Sequence, residues 1–216
     1  LKEFRAQDGR SLATLRATGK SAEERRAAID DVRERLVDEP AGPLTKAVAT
    51  LLAQASPADA RLLLAALAEA KAAGATTAVA ALAGQAGSPV RVDAALALAE
   101  IGGAKAVPVL AGLAKDEAIA EEVVNALAKV SGPGVTEAFN AGIRDAKAEL
   151  PGRFALIKAA VTRNNRAVAA ALCESVTEAV LDALTPGASE LVGVSVALAA
   201  EEAVSVPLAV VLGVAP

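Results

Sequence analysis

Histidine, methionine, tryptophan and tyrosine are all missing from this chain of 216 residues, and three phenylalanines are its only aromatic side chains. Without histidine, the Ser–His and Cys–His pairs that activate a nucleophile cannot be assembled. One cysteine, Cys173, cannot close an internal disulfide or build a thiolate metal site. It lies among Ala170, Ala171, Leu172 and Val176 and reads as a small buried hydrophobe. The remaining metal candidates are the carboxylate pairs Asp30-Asp31, Glu121-Glu122 and Glu201-Glu202. Adjacent residues on a helix do not face one site, so these pairs read as solvated surface. No catalytic residue, metal or cofactor is expected. The four missing residue types, with Leu1 at the start, read as a processed or fragmentary chain, or as one whose side chains were assigned without a gene sequence.

Basic residues are slightly outnumbered by acidic ones, 22 to 26. The net charge is −4, and no Lys or Arg follows Arg166. This argues against a nucleic-acid partner, which favours a basic face and aromatic stacking. The charge-free stretch from Ala203 to Pro216 contains Pro207 and is too short to span a bilayer, so no transmembrane segment is expected. The glycine-containing stretches Gly84–Ser88 and Gly132-Pro133-Gly134 lack the Lys-Ser/Thr pair and the strand of a phosphate loop. They read as turns.

What is abundant is Ala, Leu and Val, in a chain that is 54% hydrophobic. Alanine has the best helix propensity and lets helices approach closely, so the composition predicts an all-α protein with a shallow core shared among many layers. Val90, Ala94, Leu98 and Ile101 recur 29 residues later as Ile119, Val123, Leu127 and Val130. A fixed period of this length predicts stacked helical repeats, each burying its apolar face against its neighbours. Leu98, Ile101, Leu110, Leu113, Leu127 and Val130 are the expected core between repeats.

Punctuation follows the same plan. Ser21 and Glu24 form a capping-box pattern before a helix carrying Ile29, Val32 and Leu36. Pro40–Pro43 ends it, and Pro43 suits the first turn of the next helix, which runs through Val48, Leu51 and Leu52. Ser56-Pro57 and Ser88-Pro89 read as one device, a Ser cap with Pro at the first helical position, opening helices that close at Gly74 and at Gly102-Gly103. Ser131–Gly134 is the turn of the next copy. Leu150-Pro151-Gly152 introduces a further one with the stripe Leu150, Phe154, Ile157 and Val161. Arg25 and Arg26, beside Glu23, Glu24, Asp30 and Asp31, read as a salt-bridged exposed face. The chain divides into an N-terminal arm or short helix (1–20), helical repeats (21–175) and a C-terminal cap or docking segment (176–216).

The segment from Val90 to Asp116 resembles the HEAT-like repeat of the bilin-lyase type. It carries the Val90-Arg91 start, the Ala94–Leu98 core, the Ile101-Gly102 turn, the Ala106-Val107-Pro108-Val109-Leu110 second helix and the closing Asp116. The copies from Pro57 and Ile119 are similar in pattern, and those from Ala22 and Phe154 weakly so. The resemblance implies a right-handed α-solenoid of antiparallel helix pairs. Families of this kind are mainly scaffolds that bind proteins, with a minority acting on bilins or nucleic acid, so it implies fold more than function.

The expected function is therefore a non-enzymatic α-solenoid scaffold, a subunit holding a protein partner or belonging to a larger complex, with self-association an option. The alternatives are an amphipathic helical coat or surface-binding protein, and a bilin-lyase-like or DNA-repair HEAT-like enzyme. Candidate interface residues are the polar turn Arg163, Asn164, Asn165 and Arg166, and Leu191, Val194 and Val196 in the β-branched stretch of the cation-free tail.

Overall fold

The structure, a computed structural model, describes residues 2–145 and 147–163. The described chain is all helical, with ten α-helices, three short 3-10 turns and no strand. The helices are α1 (Lys2–Arg16), α2 (Ala22–Asp38), α3 (Pro43–Leu52), α4 (Pro57–Glu69), α5 (Thr76–Ala83), α6 (Arg91–Ile101), α7 (Ala106–Leu113), α8 (Ala120–Lys129), α9 (Val135–Arg144) and α10 (Leu150–Thr162).

The even-numbered helices pack one on the next as a row, α2 on α4, α4 on α6, α6 on α8 and α8 on α10. The odd-numbered helices make a second row, α3 on α5, α5 on α7 and α7 on α9, while α1 covers the start of both. The expected arm at 1–20 is thus a helix packed onto the array, with Leu12 and Leu15 buried.

The 29-residue recurrence is visible in the backbone. Val90 and Ile119 are both N-caps of their helices, with nearly the same backbone angles (φ −114°, ψ 13° and φ −130°, ψ 8°). All eight stripe residues are buried, as are Leu110 and Leu113. No helix crosses Gly102 or Gly132.

Local signals hold at some positions and fail at others. The Ser21–Glu24 capping box forms in both directions, Ser21 Oγ accepting from the Glu24 amide at 3.1 Å and Glu24 accepting from the Ser21 amide at 2.9 Å. Ser56 caps α4 by accepting from the Asp59 amide, with Pro57 in the first turn. Ser88 does not repeat this. The Arg91 amide bonds to the Ser88 carbonyl at 3.2 Å, Pro89 lies in a turn, and α6 begins at Arg91. Burial of Val90 against the core sets this later start.

Helix α4 also stops before Gly74. The Ala72 amide reaches the Leu67 carbonyl, and the Lys71 amide the Ala68 carbonyl. This is a Schellman ending with Lys71 at φ +51°, where glycine is more usual.

The largest departure is in α10. Leu150, Phe154 and Val161 are 68%, 66% and 50% exposed, and the buried face is instead Gly152, Ala155, Leu156, Ala159 and Ala160. The cause is close approach. A Cβ on Gly152 would stand 2.8 Å from the Ala111 carbonyl oxygen of α7, so no side chain fits at that point of the contact.

Candidate functional site

Ion pairs join successive even-numbered helices at matching ends. Near the N-terminal ends, Arg25 of α2 holds Asp59 of α4 at 2.9 Å, and Arg61 of α4 holds Asp93 of α6 at 3.1 Å. Arg91 of α6 donates to Asp116, which opens the turn before α8. At the opposite ends, Arg33 pairs with Glu69, and Lys71 with Glu100. Start meets start and end meets end, so these helices run parallel, and the odd-numbered helices between them carry the chain back.

Arg25 departs from its expected surface pairing. It is half-buried, and it donates to the Leu15 and Ala17 carbonyls at the end of α1 as well as to Asp59. Asp31 bonds to Arg35 of its own helix and to Ser11 of α1. Glu121 and Glu122 are exposed, as expected. Among the described residues no group of three or more His, Cys, Asp or Glu side chains could hold a metal ion.

A cavity of about 320 Å³ opens where the α1–α2 turn meets the end of α3 and the start of α4. Arg16, Lys20, Arg25, Gln54 and Asp59 form its polar wall, with Leu51 and Leu63 beneath. Arg25 and Asp59 pair with each other, and Lys20 pairs with Glu24 at 2.8 Å. That pairing, led by the Lys20 hydrogen bond, holds the Glu24 carboxyl below its ordinary range. A hydrogen bond from Arg91, followed by one from the Ala118 amide, does the same to Asp116.

Arg163 is tied into the array. From the end of α10 it donates to the Val130 carbonyl, and at 3.4 Å to those of Leu127 and Ala128, at the end of α8. Its guanidinium also lies 5.4 Å from the centroid of the buried Phe139 ring. Asn164, Asn165, Arg166, Leu191, Val194 and Val196 lie outside the described residues, as do Cys173 and the pair Glu201-Glu202.

Two features went unforeseen in the sequence. One is the set of charged links between alternate helices, for which the recurrence of Arg25, Arg61 and Arg91 ahead of Asp59, Asp93 and Asp116 is the available signal. The other is the exposed apolar face of α10. Among the described residues, no helix is long and apolar enough to cross a membrane. No protein-family model, curated protein or solved structure matches the chain.

Proposed function

We propose that the chain is a non-enzymatic docking scaffold, a right-handed α-solenoid of HEAT-like helix pairs of the bilin-lyase type that serves as a subunit of a protein complex. The observation that carries this reading is the pair of helix rows, in which even-numbered helices pack on one another in sequence order. Such an array exposes a long, continuous surface, a geometry suited to holding a protein partner along many weak contacts. The coat-protein alternative fits less well, because it favours long uninterrupted helices and the longest described helix, α2, has 17 residues. The docking element is the C-terminal segment 176–216, with Leu191, Val194 and Val196 as its apolar contacts and no cation to desolvate.

Sedimentation of the full chain, in native extract and after purification, tests the reading. The expected result is an assembly well above the 21.4 kDa of one chain. Joint replacement Leu191→Glu, Val194→Glu and Val196→Glu should return it to a monomer without moving its thermal midpoint. A chain that sediments as a monomer in both settings overturns the proposal.

A further inference from the structure

The cavity of about 320 Å³ at the α1–α2 turn gathers unused hydrogen-bond donors over an apolar floor. Arg25 shows this most directly. A guanidinium has five N–H groups. Nε donates to Asp59 and Nη1 to the Leu15 and Ala17 carbonyls, which leaves both N–H groups of Nη2. Those three bonds fix the plane of the guanidinium, so Nη2 is held in place at the wall. Arg16, exposed at the end of α1, has no hydrogen-bond or ion-pair partner among the described residues. Lys20 gives one of its three N–H groups to Glu24 at 2.8 Å and keeps two.

The turn itself adds backbone donors. Gly19 takes φ +88°, in the left-handed region. Among the described residues, the amides of Thr18, Gly19 and Lys20 have no protein acceptor, and all three residues line the cavity. Successive free amides at a turn make a concave cradle for an anion.

We infer that this cavity binds a small phosphate monoester, its phosphate held by Arg16, Lys20, Nη2 of Arg25 and the turn amides, and its organic group laid over Leu51 and Leu63. Charge selects an anion. The wall carries three cations and one carboxylate, in a chain whose net charge is −4. The carboxylate, Asp59, is already engaged by Arg25, and Glu24 lies outside the wall. The number and spread of donors select phosphate over carboxylate. They come from the end of α1, the turn and α2, and a phosphate monoester offers three terminal oxygens and close to two negative charges, against two oxygens and one charge. Size selects a small molecule, since the cavity lies at the lower end of the roughly 300–1,000 Å³ of small-ligand pockets. The floor, formed by the buried Leu15, Leu51 and Leu63, selects an ester over inorganic phosphate. The site uses none of the docking residues, so it and the scaffold reading stand or fall separately.

Titration of the full chain with phenyl phosphate, followed by calorimetry and amide NMR shifts, tests the assignment. Binding should be tighter than about 1 mM, should move the amides of residues 18–20, and should be at least three-fold tighter than that of inorganic phosphate. Arg16→Gln should weaken it at least five-fold while leaving the thermal midpoint of the unliganded chain in place. Arg26→Gln, which removes an exposed cation of α2 outside the wall, should change it less than two-fold. Equal losses in the two variants would reduce the effect to overall charge and overturn the site, as would a lack of saturable binding up to about 10 mM. Affinity for inorganic phosphate equal to that for phenyl phosphate overturns the ester assignment. Co-sedimentation with vesicles containing phosphatidic acid separates the two sources of such a phosphate. Retention of wild type that is lost in Arg16→Gln would assign the site to a lipid headgroup and overturn the small-molecule reading, whereas no retention supports it.

Discussion

Leu98 is fully buried in α6, a helix with neighbours in the even-numbered row on both sides. Truncation there leaves a cavity that two flanking helices must both shift to fill. Leu98→Ala should therefore cost about 2–5 kcal/mol in chemical denaturation, and a loss below about 1 kcal/mol would mean that this position is not a core between repeats. Asp116 poses an electrostatic question instead. Its carboxyl sits below the ordinary aspartate range because Arg91 and the Ala118 amide both donate to the charged form. A carboxylate lowered in the folded state stabilises it above the unfolded pKa, and that contribution fades as the pH falls through the folded value. Wild type should melt above Asp116→Asn at neutral pH, and the gap should close toward about pH 3. A gap constant over that range would show that Asp116 has no linked proton. Both positions were readable in the sequence, Leu98 from the recurrence and Asp116 as the closing residue of the Val90–Asp116 unit. Lys71 was not, because nothing in a lysine announces a left-handed turn, whereas Gly74 drew the expected helix end three residues too far.

Helix α10 shows why a periodic stripe can mislead. Its large side chains, Leu150, Phe154, Ile157 and Val161, have helical spacing, and so do Gly152, Ala155, Ala159 and their neighbours. Spacing identifies a helix but does not choose between two apolar faces, and here the short distance to α7 selected the face that carries Gly152. Paired glycine substitutions measure that distance. Gly152→Ala gains helix propensity but drives a methyl group against the Ala111 backbone carbonyl, which cannot swing aside. It should lose about 1–3 kcal/mol. Gly112→Ala, at an exposed position of α7 with nothing within 4 Å of the added carbon, should gain about 0.5–1 kcal/mol. Urea unfolding of the two variants should move in opposite directions, and two shifts of the same sign would contradict the close approach of α10 to α7. The capping signals divide similarly. Ser21 and Ser56 both cap, but Ser88 has the same Ser-Pro sequence as Ser56 and does not, because the buried Val90 two residues on fixes where α6 starts.

Across the array, the even-numbered helices were foreseeable as a stacked series because each repeat presents a similar stripe to the next. The charged pairs that tie them together were not foreseen, since their partners lie 25 to 36 residues apart, beyond the reach of any short motif. The parallel alignment of α2, α4, α6, α8 and α10 has an electrostatic consequence. Each helix carries a macrodipole worth about half a charge at either end, and five laid side by side in one direction repel one another. The acids held at one edge, Asp59, Asp93 and Asp116, sit at or just before helix starts, where partial positive charge collects. Arg163 delivers a full positive charge to the carbonyls that end α8. The odd-numbered row, running the other way, opposes the remaining field helix by helix. Helix α10 packs on α9 and α7 of that row, so the last described dipole of the even-numbered row has opposing neighbours as well.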